Sequence, residues 1–382
     1  FDEALAAAPT DRRRARVMAA KARLLHQIPD LDACIRCAQE ALSLGEAVHD
    51  TVVQGRALVS LGVAKRQLGA PQEAMAHLVD GGERLERVGC TVDRSYAWLS
   101  LGNLYNLLNR VDDAEDAYQR AEKGFRRAGM RGARATAIAN LTLIDRARGD
   151  YRAAEKRAHR ALELHRAVGD RLSELSDQSQ LASSLAGQGR VEEALAVFAE
   201  IVGPALEARR FNSACLAMIN MAHWLVVTGQ AARARSQFRQ ALALATEHDI
   251  TWMQALALGN LGILTSELDH DSVTATQQLD EAIELARQCG SVRMEGGLLA
   301  ERVRARIDDD DDHHEALSRA EALLNEAGDR EELGKLYATR ARLLARAGDR
   351  AAAEAILVQI EGGPGEELAA RIAEVRAELD AT

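Results

Sequence analysis

Small and apolar residues recur every three or four positions along most of this chain. The stretch YRAAEKRAHRALELHRAVG, Tyr151–Gly169, is typical. Ala154, Ala158, Ala161 and Leu162 share one side of a helix, the stripe by which an amphipathic helix faces a core. Turn residues interrupt the stripe in a fixed register. Gly69, Asn109, Gly149, Gly189, Gly229 and Asp269 each lie 40 residues after the one before. Alanine follows five residues later at Ala74, Ala114, Ala154, Ala194 and Ala234, and one residue late at Ala275. Seven residues further on stand Gly81, Ala121, Ala161, Ile201, Ala241 and Ala282. Eight residues before each turn is an apolar residue, Leu61, Leu101, Leu141, Leu181, Met221 or Leu261. The next residue is small each time: Gly62, Gly102, Thr142, Ala182, Ala222 and Gly262.

This periodicity predicts an internal repeat of two antiparallel helices, each near 18 residues long, with short connections. The second turn of a repeat often carries glycine, at Gly89, Gly129, Gly169, Gly290 and Gly328, where a left-handed residue closes a helix. The pattern extends past the six aligned units. Ala22–Cys34, with Pro29 at its turn, belongs to a first repeat, Ser291–Ala327 to an eighth and Glu331–Ile360 to a ninth. The expected repeats are 10–49, 50–89, 90–129, 130–169, 170–209, 210–249, 250–290, 291–328 and 329–362. Residues 363–382 hold a charged amphipathic helix, Gly365–Ala381, suited to cap the array. FDEALAAAP, residues 1–9, reads as the end of a preceding helix stopped by proline, as in a piece of a longer protein.

Asn260-Leu261-Gly262, the turn Gly149-Asp150-Tyr151 and the alanine columns resemble the tetratricopeptide repeat. The 40-residue unit is similar to the long-helix variety in Leu-Gly-Asn-type scaffolds and in sensor arrays of bacterial regulators related to the maltose activator. The resemblance covers nearly the whole chain. It implies an all-α fold, a single right-handed α-solenoid over 1–382 of about nine antiparallel helix pairs with a C-terminal capping helix. The departures are the polar first helix of the fifth unit, SELSDQSQLASSLAGQG, and the eighth unit, whose turn is replaced by Ile307–His314.

The residue nine before each turn is polar in all six central units: Ser60, Ser100, Asn140, Gln180, Asn220 and Asn260. The resemblance places this column on the concave groove, where amides can bind a peptide backbone through both donor and acceptor; bridging between helices is the structural alternative. It also implies groove columns 13, 6 and 3 residues before the turn, giving Arg56 and Tyr96, Asn103 and His223, and Arg66, Asn106 and Arg146. The N-terminal part of the groove is thereby cationic. The C-terminal part is more apolar, with Leu216, Val226, Leu256 and Ile263. Glycines divide in the same way: Gly262 belongs to a close-packing column, whereas Gly259 has no such register and is expected to be incidental.

Composition narrows the function. Aromatics are only 3% and prolines 5 in 382 residues, which leaves little material for strands. The net charge of −10 disfavours nucleic acid as a partner. The dense basic spot Arg12-Arg13-Arg14-Ala15-Arg16 is read as a solvated helix face. No window is apolar enough to span a membrane. Cys34 and Cys37 lack a second pair to complete a zinc site and are read as structural thiols in a reducing cytoplasm. His159 and His165 are poorly spaced for a shared metal, and the acidic run Asp308–Asp312 reads as a solvated turn. No catalytic constellation stands out, so no enzyme activity and no cofactor is expected of this segment. The expectation is a protein- or peptide-binding sensor domain of a cytoplasmic bacterial signalling protein. Its output would lie in a further NTPase, kinase or protease-like part. The alternative is a passive scaffold or a self-assembling module, with homo-oligomerisation through the full-length protein.

Overall fold

The computed structural model describes residues 10–25, 30–307, 313–363 and 366–381. The expected helix end over 1–9, the turn at Pro29 and the run Asp308–Asp312 lie outside the described residues. Within them the chain is all helical, with no strand. It divides into two compact halves, Phe1–Ala194 and Leu195–Thr382.

The N-terminal half holds α1 (Asp11–Leu25), α2 (Leu31–Ala47), α3 (Thr51–Gln67), α4 (Pro71–Arg87), α5 (Thr91–Leu107), α6 (Val111–Arg127), α7 (Arg131–Ala147), α8 (Tyr151–Val168) and α9 (Arg171–Gly187). Helix α10 (Val191–Glu207) contains the boundary. The C-terminal half continues with α11 (Phe211–Val227), α12 (Ala231–Glu247), α13 (Thr251–Leu264), α14 (Ser272–Gln288), α15 (Val292–Ala305), α16 (His314–Ala327), α17 (Arg330–Arg346), α18 (Arg350–Ile360) and α19 (Glu366–Ala381). Odd-numbered helices α1 to α17 are the first helices of repeats, and even-numbered ones the second.

The turns explain the period. A residue in the left-handed region closes one helix and the next begins two residues later. Gly69 (φ +73°) and Gly149 (φ +75°) adopt this conformation without steric cost, while Asn109 (φ 54°) and Arg209 (φ 53°) adopt it with a side chain. Asp50, Asp150 and Asp170 then cap the following helix by accepting from the backbone amide three residues on. At the sixth turn the left-handed residue is His270 (φ 53°), not the expected Asp269. A π-helical turn over Thr265–Asp269 absorbs one extra residue there, which is why Ala275 falls one position late.

Packing follows the small columns. Ala74, Ala114, Ala154, Ala234 and Ala275 are fully buried, as are Leu78, Tyr118 and Phe238 on the same second helices. Gly62 and Gly262 admit these bulky residues: a Cβ on Gly62 would stand 2.6 Å from Leu78 Cγ, and one on Gly262 2.8 Å from Leu279 Cγ. Gly259 is not incidental. A Cβ there would lie 2.5 Å from Leu298 Cδ2 on α15, so this glycine seats the next first helix. Within each half, first helices touch first helices, as α1–α3, α3–α5 and α7–α9 do, and α11–α13, α13–α15 and α15–α17. Among the described residues second helices make no comparable contact, so in each half the stack curves with its first helices inside.

Candidate functional site

Counted from the start of each first helix, the polar ladder is the tenth residue, and the other three columns are the sixth, thirteenth and sixteenth. In the N-terminal half they converge in two places. Arg56, Ser60, Tyr96 and Ser100, on α3 and α5, line one pocket of about 280 Å³ floored by Val59, Val63 and Leu85. Arg56 donates to Asp93 at 2.8 Å, an ion pair that raises the guanidinium pKa and holds it at the pocket edge. Tyr96 is fixed by an edge contact with Phe125, 4.8 Å between ring centroids. Ser60 is buried at 2% exposure.

The second place is centred on Asn103 of α5. Its Oδ1 accepts from Tyr118 Oη and from Asn140 Nδ2, both at 2.9 Å. Tyr118 lies beneath Gly102, whose missing side chain makes room for the ring. Arg66, the sixteenth residue of α3, lies near Tyr118 of this network, and Arg146, the sixteenth of α7, lies near Tyr151. The Nε of each is buried without a hydrogen-bond partner, as is Oε1 of Gln180. Desolvation lowers both guanidinium pKa values; Tyr118 opposes it at Arg66 and Tyr151 at Arg146, and no carboxylate does. Asn106 is exposed.

In the C-terminal half, Asn260 turns its amide onto its own helix, donating to the Leu256 carbonyl at 2.7 Å. Asn220 is half-buried. His223 reaches solvent, yet surrounding protein desolvates it and lowers its pKa; Glu367 acts against this and Lys335 with it. The same columns run on into α15 and α17, beyond the six units that share the 40-residue register. Glu301 and Thr339 are tenth residues, Arg304 and Arg342 thirteenth, and Lys335 a sixth. Allowing one inserted residue before α14 carries the count into α15, and a following repeat two residues short of 40 carries it into α17.

Other candidate chemistry resolves into structure. Cys34 and Cys37 are buried thiols outside any disulfide, and burial pushes Cys34 up to about 11. His165 Nδ1 is 2.6 Å from Asp177 Oδ2 in a buried pair tying α8 to α9, while His159 is exposed. Arg12 and Arg16 lie by Asp50, and Arg14 by Glu40, so the basic spot is partly neutralised. No cluster of metal-ligating side chains occurs, and no helix is long and apolar enough to cross a membrane, among the described residues.

The sequence matches no protein-family model and no curated protein. Solved structures match the fold. A Rap protein complexed with competence and sporulation factor has a TM-score of 0.62 at 14% identity, over 95% of this chain and 99% of that one. NprR in complex with its cognate peptide NprX has a TM-score of 0.58 at 17% identity, over 91% and 99%. A signal transduction ATPase with a tetratricopeptide repeat sensor from Pyrococcus horikoshii has a TM-score of 0.58 at 14% identity, over 84% of this chain and 48% of that one. The fold is therefore the tetratricopeptide-type α-solenoid.

Proposed function

We propose that this tetratricopeptide-type solenoid is a regulatory domain that binds a peptide, or an extended segment of a protein, on the inner face of its first helices. The observation that carries the reading is the pair Arg66 and Arg146, two partly buried guanidinium groups on one column with no acid beside them. A desolvated cation without a counter-charge is costly, and a ligand carboxylate would offset that cost. The linked amides of Asn103 and Asn140 would meet backbone groups, and the pocket by Tyr96 would receive an apolar side chain. That two structures of the same fold are complexes with competence and sporulation factor and with the peptide NprX supports the choice of ligand class. Binding would then shift the spacing of first helices and pass that change to an effector segment.

The test is a random peptide library displayed on phage and panned against the full chain. Enriched peptides should carry a carboxylate and lose at least about tenfold in affinity, about 1.4 kcal/mol, in the double variant Arg66→Glu, Arg146→Glu. Equal affinity for the variant would sink the assignment. Small-angle scattering separates a sensor from a passive scaffold, since only a sensor changes its profile on binding.

A further inference from the structure

Helix α19 does not merely close the end of the array. Along it, Leu368, Ile372, Val375 and Leu379 form an apolar strip buried against Ala338 and Ala341 of α17 and Leu357 and Ile360 of α18. Beside that strip a second, acidic row lies on the groove columns. Glu367 accepts from Lys335 at 2.7 Å, Glu374 pairs with Arg342 at 2.9 Å, and Glu378 accepts from Arg342 Nε at 2.9 Å. Arg371 reaches past α17 to α15, donating to Glu301 at 2.6 Å. Glu301 is at the same time bound to Arg304 at 2.8 Å. A helix stacked as a plain tenth first helix would meet only its neighbour. This one touches the sixth and thirteenth residues of α17 and, through Arg371, the tenth of α15, so it lies along the inner columns of repeat nine and reaches that of repeat eight.

That contact carries buried charge as well as apolar surface. Arg371 and Glu301 are 8% and 7% exposed, and Arg371 Nη1 is buried with no partner. Buried ion pairs recover little more than their desolvation cost, though they fix orientation closely. An apolar strip with charges at fixed spacing beside it is also how an amphipathic helix is recognised in a groove.

We propose that the inner face of repeats eight and nine is a binding site for an acidic amphipathic helix, held in the resting chain by α19 as an exchangeable occupant. The fitting partner has carboxylates spaced as Glu367, Glu374 and Glu378 are, beside an apolar strip, and its acids take Lys335 and Arg342. Occupancy by α19 weakens the apparent affinity for such a partner by the fraction of chains in which the site is open. The inference shares with the proposed function the idea of an inner binding face. It rests on other residues, in the other half, so each can fail alone.

The probe is a fluorescent synthetic peptide of residues 366–381, titrated into the full chain by anisotropy. The triple variant Glu367→Lys, Glu374→Lys, Glu378→Lys frees the site, and is expected to bind the probe at least about tenfold more tightly than the wild type. Adding Lys335→Glu and Arg342→Glu lets the reversed helix re-pair, and is expected to abolish that gain. Circular dichroism establishes that each variant is folded. If the triple variant is not, the milder Glu378→Gln replaces it, with a gain of about threefold expected. A folded triple variant, or failing that Glu378→Gln, that binds the probe no better than wild type overturns the proposal. A gain that survives Lys335→Glu and Arg342→Glu overturns it equally. Both outcomes leave the Arg66 and Arg146 test untouched.

Discussion

At the scale of single residues, the sequence is most legible where a side chain is missing. Gly102 repeats a small position every 40 residues, and its role follows: a Cβ there would stand 2.5 Å from the Tyr118 ring. Gly102→Leu should therefore destabilise the chain by about 3 kcal/mol, since overpacking a close helix contact forces a backbone shift. Thermal melting followed by circular dichroism checks this, and an unchanged midpoint would refute the packing role. Gly259 was illegible because its partner, Leu298, belongs to the next repeat and no column of small residues announced it. Asn103 and Asn140 stood on separate columns in the sequence, and only the structure joins their amides. Arg66 and Arg146 were readable as groove cations, but their lack of an acid partner was not.

Helices were legible as elements because each turn signal is local. A left-handed residue, then a capping Asp, fixes an end with no help from tertiary contact, as at Gly149 and Asp150. Helix α19 is the exception. Its amphipathic pattern foretold a helix and its place at the end suggested a cap, yet the ion pairs that set it on the inner face span up to 70 residues. Acid should loosen that attachment. Burial works to raise the Glu301 carboxyl, but the charges of Arg371 and Arg304 outweigh it and hold it at about 2. A carboxyl depressed in the folded state stabilises above its ordinary range and loses that contribution as pH falls through the folded value. The melting midpoint should accordingly drop between about pH 4.5 and 2, and Glu301→Gln should flatten that part of the profile. A parallel profile for the variant would show that Glu301 does not carry the acid response.

For the whole molecule, the decisive feature is that each repeat contacts chiefly its neighbours, in two compact halves. Stability in such an array is close to a sum of repeat and interface contributions, so damage stays local. Leu357→Ala, which empties a fully buried site between α18 and α19, should cost roughly 3 kcal/mol. Hydrogen exchange read by mass spectrometry should show lost protection in α17 to α19 and unchanged protection in α3 to α8. Uniform loss along the chain would mean that the array unfolds as one cooperative block. The two inner faces also differ in kind. In the N-terminal half Arg66 and Arg146 have no acid partner, although Arg56 is paired with Asp93, whereas Lys335 and Arg342 are met by the chain's own helix.

By itself the sequence determined the helices, their pairing, the 40-residue period and the columns that share a face, because all of these follow from spacing within one or two helical turns. Tertiary structure alone decided which groove residues are satisfied by one another, which are left without a partner, and what covers the last two repeats. Those outcomes depend on side chains from different repeats meeting in space. No local pattern encodes a contact such as Arg371 with Glu301.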